Sequence, residues 1–208
     1  MFRTIYEKNR WGEEESRSGE GSSLAATANL RLELPGIIRR LAIGSILDAP
    51  CGDFHWMATM GIQDLVDCYH GVDIVPELIA VNQQKWQSDR VTFEVADIVR
   101  KQPRRADLIL CRHLLIHLPI RDCLQVLRNF AASGSRYLLI TDQPEIEENV
   151  EILWTGSFRP LNLSLPPFSL PQARLTVADV EDTSILALYE ISAIAESLGS
   201  RAKSAEAS

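Results

Sequence analysis

SILDAPCGDFHWM, residues 45–57, decides how this chain is read. Ser45-Ile46-Leu47 reads as a buried strand. It breaks at Asp48-Ala49-Pro50-Cys51-Gly52-Asp53, and apolar residues resume at Phe54. A strand that runs into a glycine turn is where nucleotide-binding folds hold their ligand. Dinucleotide sites need three glycines there, and this loop has one. Asp53 also stands where a pyrophosphate would have to lie, and two like charges in a partly buried site repel strongly.

The flanking sequence alternates strands and helices. Strands are expected at Ser45–Ala49, Cys68–Ile74, Val91–Ala96, Asp107–Cys111 and Tyr137–Thr141. Helices are expected at Pro76–Ser88, with proline in the first turn, and at Pro119–Ser133, ending at Gly134. A last pair, Leu175–Val180 and Ile185–Ile191, is joined by only Glu181-Asp182-Thr183-Ser184, which permits a hairpin alone. The expected fold class is α/β: a Rossmann-like, doubly wound sheet of seven strands, mostly parallel, with a C-terminal antiparallel hairpin. Upstream, helical spacing runs through Leu24, Leu30, Leu34, Ile37, Ile38 and Leu41, with a break expected at Pro35. Residues 159–172, RPLNLSLPPFSLPQ, hold Pro160, Pro166, Pro167 and Pro171, so no regular helix can pass. The expected division is an N-terminal lid or helical segment over 1–35, a ligand-binding domain over 36–195 and a disordered tail over 196–208.

Composition narrows the function classes. The 208 residues suit one domain, and a net charge of −7 argues against a nucleic-acid partner. No run is apolar enough to span a membrane, and the N-terminus is too polar for a signal peptide. Cys51, Cys68, Cys111 and Cys123 include no CxxC pair, which suits free thiols in a cytoplasmic protein. Oligomeric state stays open, a homodimer included.

Ligands of open α/β sheets sit at the C-terminal ends of the strands. Asp48, Asp73, Asp97 and Asp142 close the first, second, third and fifth strands, and Cys111-Arg112-His113 closes the fourth. Asp is common in turns, but four at strand ends make a carboxylate-lined crevice. Asp73 follows Gly52 by 21 positions, the spacing of the acid that accepts both ribose hydroxyls. A nucleoside with a cationic or zwitterionic arm fits these acids. S-adenosylmethionine (SAM) is such a molecule, and S-adenosylhomocysteine (SAH) is its product.

Several stretches resemble the class I SAM-dependent methyltransferases. LDAPCGDFHWM resembles their first motif, with Phe54 in place of its second glycine. YHGVDIVPELI resembles the acidic loop, EVADI the segment flanking adenine, and DLILCRHLLIHLP the motif after strand four. NRWGEEESRSGEGSS, FRPLNLSLPPF and LALYEIS extend the likeness to a little-characterised bacterial-type subgroup. The resemblance implies cofactor-binding roles for Trp11 in an N-terminal lid and for Asp48, Cys51, Gly52, Asp53 and Phe54 in the first loop. It implies the same for Asp73, Ile74, Asp97, Ile98, Cys111 and Arg112.

Methyl transfer depends chiefly on holding the acceptor in line, with a base only for acceptors that keep a proton. His113 follows the fourth strand, where an acceptor would sit, and is the candidate base; packing of the next helix is its bland alternative. Asp142 is the second catalytic candidate. His117 is expected to pack, and the HxxxH pair lacks a third ligand, so no metal is expected. Arg159, if it meets substrate, would favour an anionic or polyhydroxyl acceptor; a surface loop or dimer contact is the alternative. CRHL differs from the Asn/Asp-Pro-Pro-aromatic motif of base methylation. The expected activity is methyl transfer to a small-molecule or glycan acceptor. A catalytically silent SAM-binding interaction domain is the alternative, and a NAD-dependent enzyme is disfavoured by Asp53 and the missing glycines.

Overall fold

The computed structural model describes residues 1–11, 15–179 and 184–206, with side chains up to residue 199. Seven strands form one sheet: β1 (Ser45–Asp48), β2 (Cys68–Asp73), β3 (Val91–Val95), β4 (Leu108–Cys111), β5 (Tyr137–Asp142), β6 (Leu175–Ala178) and β7 (Ile185–Glu190). The spatial order is β3-β2-β1-β4-β5-β7-β6. β1 to β5 pair in parallel, and β7 lies antiparallel between β5 and β6. β6 therefore runs with the parallel set, and β7 is the strand that reverses. The hairpin link at residues 180–183 lies outside the described residues.

Strand side chains alternate between two apolar layers, as a period of two requires. Ile46, Leu108, Leu110 and Leu139 face one layer, with Leu34 and Ile38 of helix α2 (Ala28–Arg40) and Leu78 and Ile79 of α5 (Pro76–Trp86). Leu47, Ile109, Leu138 and Ile140 face the other, with Val126 and Phe130 of α6 (Ile120–Ala132) and Ile191 and Ile194 of α7 (Ile191–Glu206). Each such buried side chain contributes about 1.5–3 kcal/mol. Three short helices complete the fold: α1 (Phe2–Glu7), α3 (His55–Ala58) and α4 (Ile62–Leu65).

Two expectations are corrected. Pro35 does not break its helix; α2 runs through it. Burial of Leu30, Leu34, Ile37 and Ile38 outweighs a cost of about 3 kcal/mol for an interior proline. The segment 196–206, expected as a structureless tail, continues α7, anchored by fully buried Ile194.

As expected, no helix crosses the proline-rich insertion after β5, and no strand forms there either. Side chains fix it instead. Asn162 donates to the carbonyls of Pro144 and Ile146, and Arg159 donates to those of Val150, Leu115 and Leu118. Among the described residues, no helix is long and apolar enough to cross a membrane.

Candidate functional site

A cavity of about 1000 Å³ opens at the C-terminal ends of β1, β2 and β4. Its floor is the predicted glycine turn. Gly52 has φ +52°, and a Cβ there would run into the side chain of Ser18. Asn82, buried in α5, donates to the Gly52 carbonyl at 2.7 Å and pins the turn.

Ten of the fourteen sequence-derived site residues line this space: Trp11, Asp48, Cys51, Gly52, Asp73, Ile74, Asp97, Ile98, Arg112 and His113. Three are the carboxylates of the expected crevice. Burial pushes Asp48 up to about 7, although the Tyr69 hydroxyl donates to it at 2.6 Å. Burial likewise lifts Asp73 to about 6, against backbone amides of Val75, Gly52 and Ile74 that favour its charged form. Asp48 and Asp73 thus share a low-dielectric pocket in which an incoming cation or hydroxyl donor would draw them toward ionisation.

The other four lie elsewhere, for identifiable reasons. Asp53 turns away from the cavity. Its Oδ2 accepts from the Ser16 hydroxyl and the Arg17 amide, both at 2.9 Å, so it anchors the N-terminal segment. Phe54 adopts a left-handed φ of 60°, a conformation glycine adopts freely, and its ring packs on Tyr69, Trp86 and Phe93. That aromatic cluster compensates for the strained backbone. Cys111 is fully buried behind the wall, its thiol held neutral by burial. Asp142 accepts from the Leu163 and Gln143 amides at 2.7 and 3.0 Å and braces the insertion. The insertion covers the end of β5, so Asp142 has no access to the cavity.

Arg159 is likewise committed. Its three backbone bonds and 3% exposure make it a structural clasp between insertion and post-β4 turn, not an acceptor-binding cation.

The residue that sequence reasoning missed is Asp179, just past β6. It binds Arg112 through two hydrogen bonds of 2.9 and 3.1 Å, and His113 Nε2 lies 3.4 Å from its Oδ2. Burial would raise this carboxyl, but the hydrogen bond from His113 and the charge of Arg112 outweigh it and hold it below its usual value. No local signal marks Asp179, which meets Arg112 across 67 residues. Arg112 also donates to the Gly21 carbonyl, and a Cβ on Gly21 would sit 2.6 Å from His113 Nδ1. Residues 18–22 thus form one wall, with the close approach to His113 open to glycine alone. Residues 12–14 of this segment lie outside the described residues.

His117, four residues on, also lines the cavity. Its Nδ1 lies 3.1 Å from the Ser157 carbonyl, and its ring stacks on Trp11 at 5.3 Å. Burial lowers it to about 4, so it is neutral at ordinary pH. Among the described residues, no three metal-ligating side chains converge.

No protein-family model matches the chain, and no curated protein matches it in sequence. Solved structures do match in shape. Human N-acetylserotonin methyltransferase in complex with SAM aligns with a TM-score of 0.64 at 13% identity, over 91% of this chain and 58% of that one. Magnesium protoporphyrin IX methyltransferase from Synechocystis PCC 6803, with bound SAH, aligns with a TM-score of 0.60 at 14% identity, over 91% and 97%. The DhpI–SAH complex aligns with a TM-score of 0.57 at 15% identity, over 90% and 91%. Near-complete overlap, together with the strand order and the single reversed strand, shows that this chain has the fold of the class I SAM-dependent methyltransferases.

Proposed function

We propose that the protein is a SAM-dependent methyltransferase acting on a small-molecule acceptor. The observation that carries this reading is Asp73. It ends β2, faces the cavity beside the Gly52 turn, and is a partly buried carboxylate with room for a ligand in front of it. The fold it stands on is the one whose solved members were crystallised with SAM or SAH.

The cavity suits the cofactor chemically. Asp73 would accept both ribose hydroxyls. Asp97 and Ile98 would flank the adenine. Asp48 and the Gly52 turn would face the amino-acid end, whose ammonium the acids favour. When bound, SAM supplies a methyl group on a sulfonium that departs as a neutral thioether. The chain's own work is to hold the acceptor in line and to exclude water, and residues 18–22 act as the lid. For a hydroxyl acceptor, His113 takes the proton as the new O–C bond forms. Asp179, whose Oδ2 lies 3.4 Å from its Nε2, is the positioning residue that orients the ring and stabilises its charged form.

Calorimetric titration with SAH tests the reading, with NADH and Asp73→Ala as controls. Micromolar SAH binding, weakened at least about thirtyfold by Asp73→Ala and absent for NADH, is the expected result. No SAH binding to folded, ligand-free protein would overturn it and favour the silent-domain alternative.

A further inference from the structure

The cavity has a second end that the cofactor reading leaves unused. A volume of about 1000 Å³ is at the upper limit for a single small ligand, so a second molecule has room beside the nucleoside. The two ends differ in chemistry. Asp48, Asp73 and Asp97 stand at the sheet. Elsewhere in the lining, four rings run in an unbroken line: Phe2 to Trp11 at 6.4 Å, Trp11 to His117 at 5.3 Å, and His117 to Phe158 at 6.2 Å. All four line the cavity. They come from three separate stretches: α1 and the residues after it, the post-β4 turn, and the insertion after β5.

The state of His117 matters here. Burial leaves a neutral imidazole, although the bond to the Ser157 carbonyl pulls the other way, and that bond holds the ring stacked on the Trp11 indole, with 29° between the planes. A neutral ring is a stacking surface; a charged one would seek an anion. Phe158 and Trp11 remain 60% and 37% exposed, so their faces are available to a ligand. His113 leaves the same end of β4 as His117, which sets the proposed base beside this wall.

From these observations we infer that the acceptor is a planar aromatic molecule, bound by stacking against Trp11, His117 and Phe158, with its methylated hydroxyl directed to His113. This rests on the methyltransferase reading and names its substrate class. In the transfer, the acceptor O–H proton passes to His113, the O–CH3 bond forms and the C–S bond breaks.

The test is calorimetric titration of the SAH-loaded protein with 2-naphthol, and separately with methyl β-glucoside. Saturable 2-naphthol binding is expected, weakened about tenfold by Phe158→Ala and by Trp11→Leu, with SAH affinity in Phe158→Ala unchanged within about twofold. Trp154→Ala, exposed and outside the cavity, should leave naphthol binding as in wild type. Because Phe158 is exposed, its variant keeps the test informative should Trp11→Leu fail to fold. Glucoside binding in preference to naphthol, or naphthol binding indifferent to both ring substitutions, would overturn the inference while SAH binding persists. Loss of SAH binding in wild type would instead overturn the reading beneath it.

Discussion

At the sheet end of the cavity, Asp48 and Asp73 are placed by the strands that carry them, and each stands where its own segment stops. At the rim, Trp11, His117 and Phe158 have no common scaffold. They meet because Arg159 clasps the insertion to the post-β4 turn and because Asp53 and Arg112 hold the N-terminal segment down. The first region is rigid because the core is rigid. The second depends on a few buried polar bonds. Under the proposed function, the cofactor would be held by the first and the acceptor selected by the second, where loops tolerate change.

Substitutions should separate the two. Asp179→Ala is expected to have the largest effect. It leaves the Arg112 guanidinium buried without its counter-charge, a loss of about 3–5 kcal/mol, read as a fall in the urea midpoint or of roughly 10 °C in Tm. A change below about 1 kcal/mol would mean that the rim does not depend on this pair. Asp73→Ala should do the opposite: cofactor affinity falls at least about thirtyfold, while Tm in the cofactor-free protein stays level or rises, because a desolvated carboxylate is removed.

The pH dependence of SAH affinity sharpens the contrast. Asp73, at about 6, must be ionised to accept two hydroxyls. Affinity should be flat above pH 7 and fall about tenfold per unit below pH 6, a slope absent in Asp73→Ala. Stability of the cofactor-free protein has the other sign at this end. Asp48 binds its proton more tightly folded, at about 7, than unfolded, near 3.8. Its contribution is fully present below pH 4 and is lost as pH rises toward 7; Asp48→Asn should flatten that part of the denaturation profile.

The smallest effect is expected for Gly21→Ala. A methyl group there meets the His113 ring, so kcat for a hydroxyl acceptor should drop severalfold with SAH affinity unchanged. Equal losses in both would place Gly21 in the cofactor's site.

The same contrast explains what could be read from the sequence. Strand ends are local signals, so Asp48, Asp73, Asp97 and the glycine turn were legible from alternation and spacing. Asp142 obeyed the same rule but ends a strand that the insertion covers, and nothing in a proline-rich stretch says where it will fold back. Asp53 and Phe54 sat in the correct loop, but the direction of each side chain was set by distant partners, Ser16 in one case and Phe93 in the other. Asp179 carried no signal, since it falls inside the strand expected at Leu175–Val180 and meets Arg112 only in the fold. Pro35 misled because propensity is local and burial is not.

Arg112 reaches back to Gly21 and forward to Asp179, and this spacing has a consequence for synthesis. A chain is made from its N-terminus, so residues 16–22 emerge long before the carboxylate that neutralises the arginine they dock on. During that interval the segment has only part of its seat. Residues 16–22 are thus among the last parts of the pocket to settle: β7, which pairs with both β5 and β6, is made after Asp179, so the seat of this segment and the sheet are completed together.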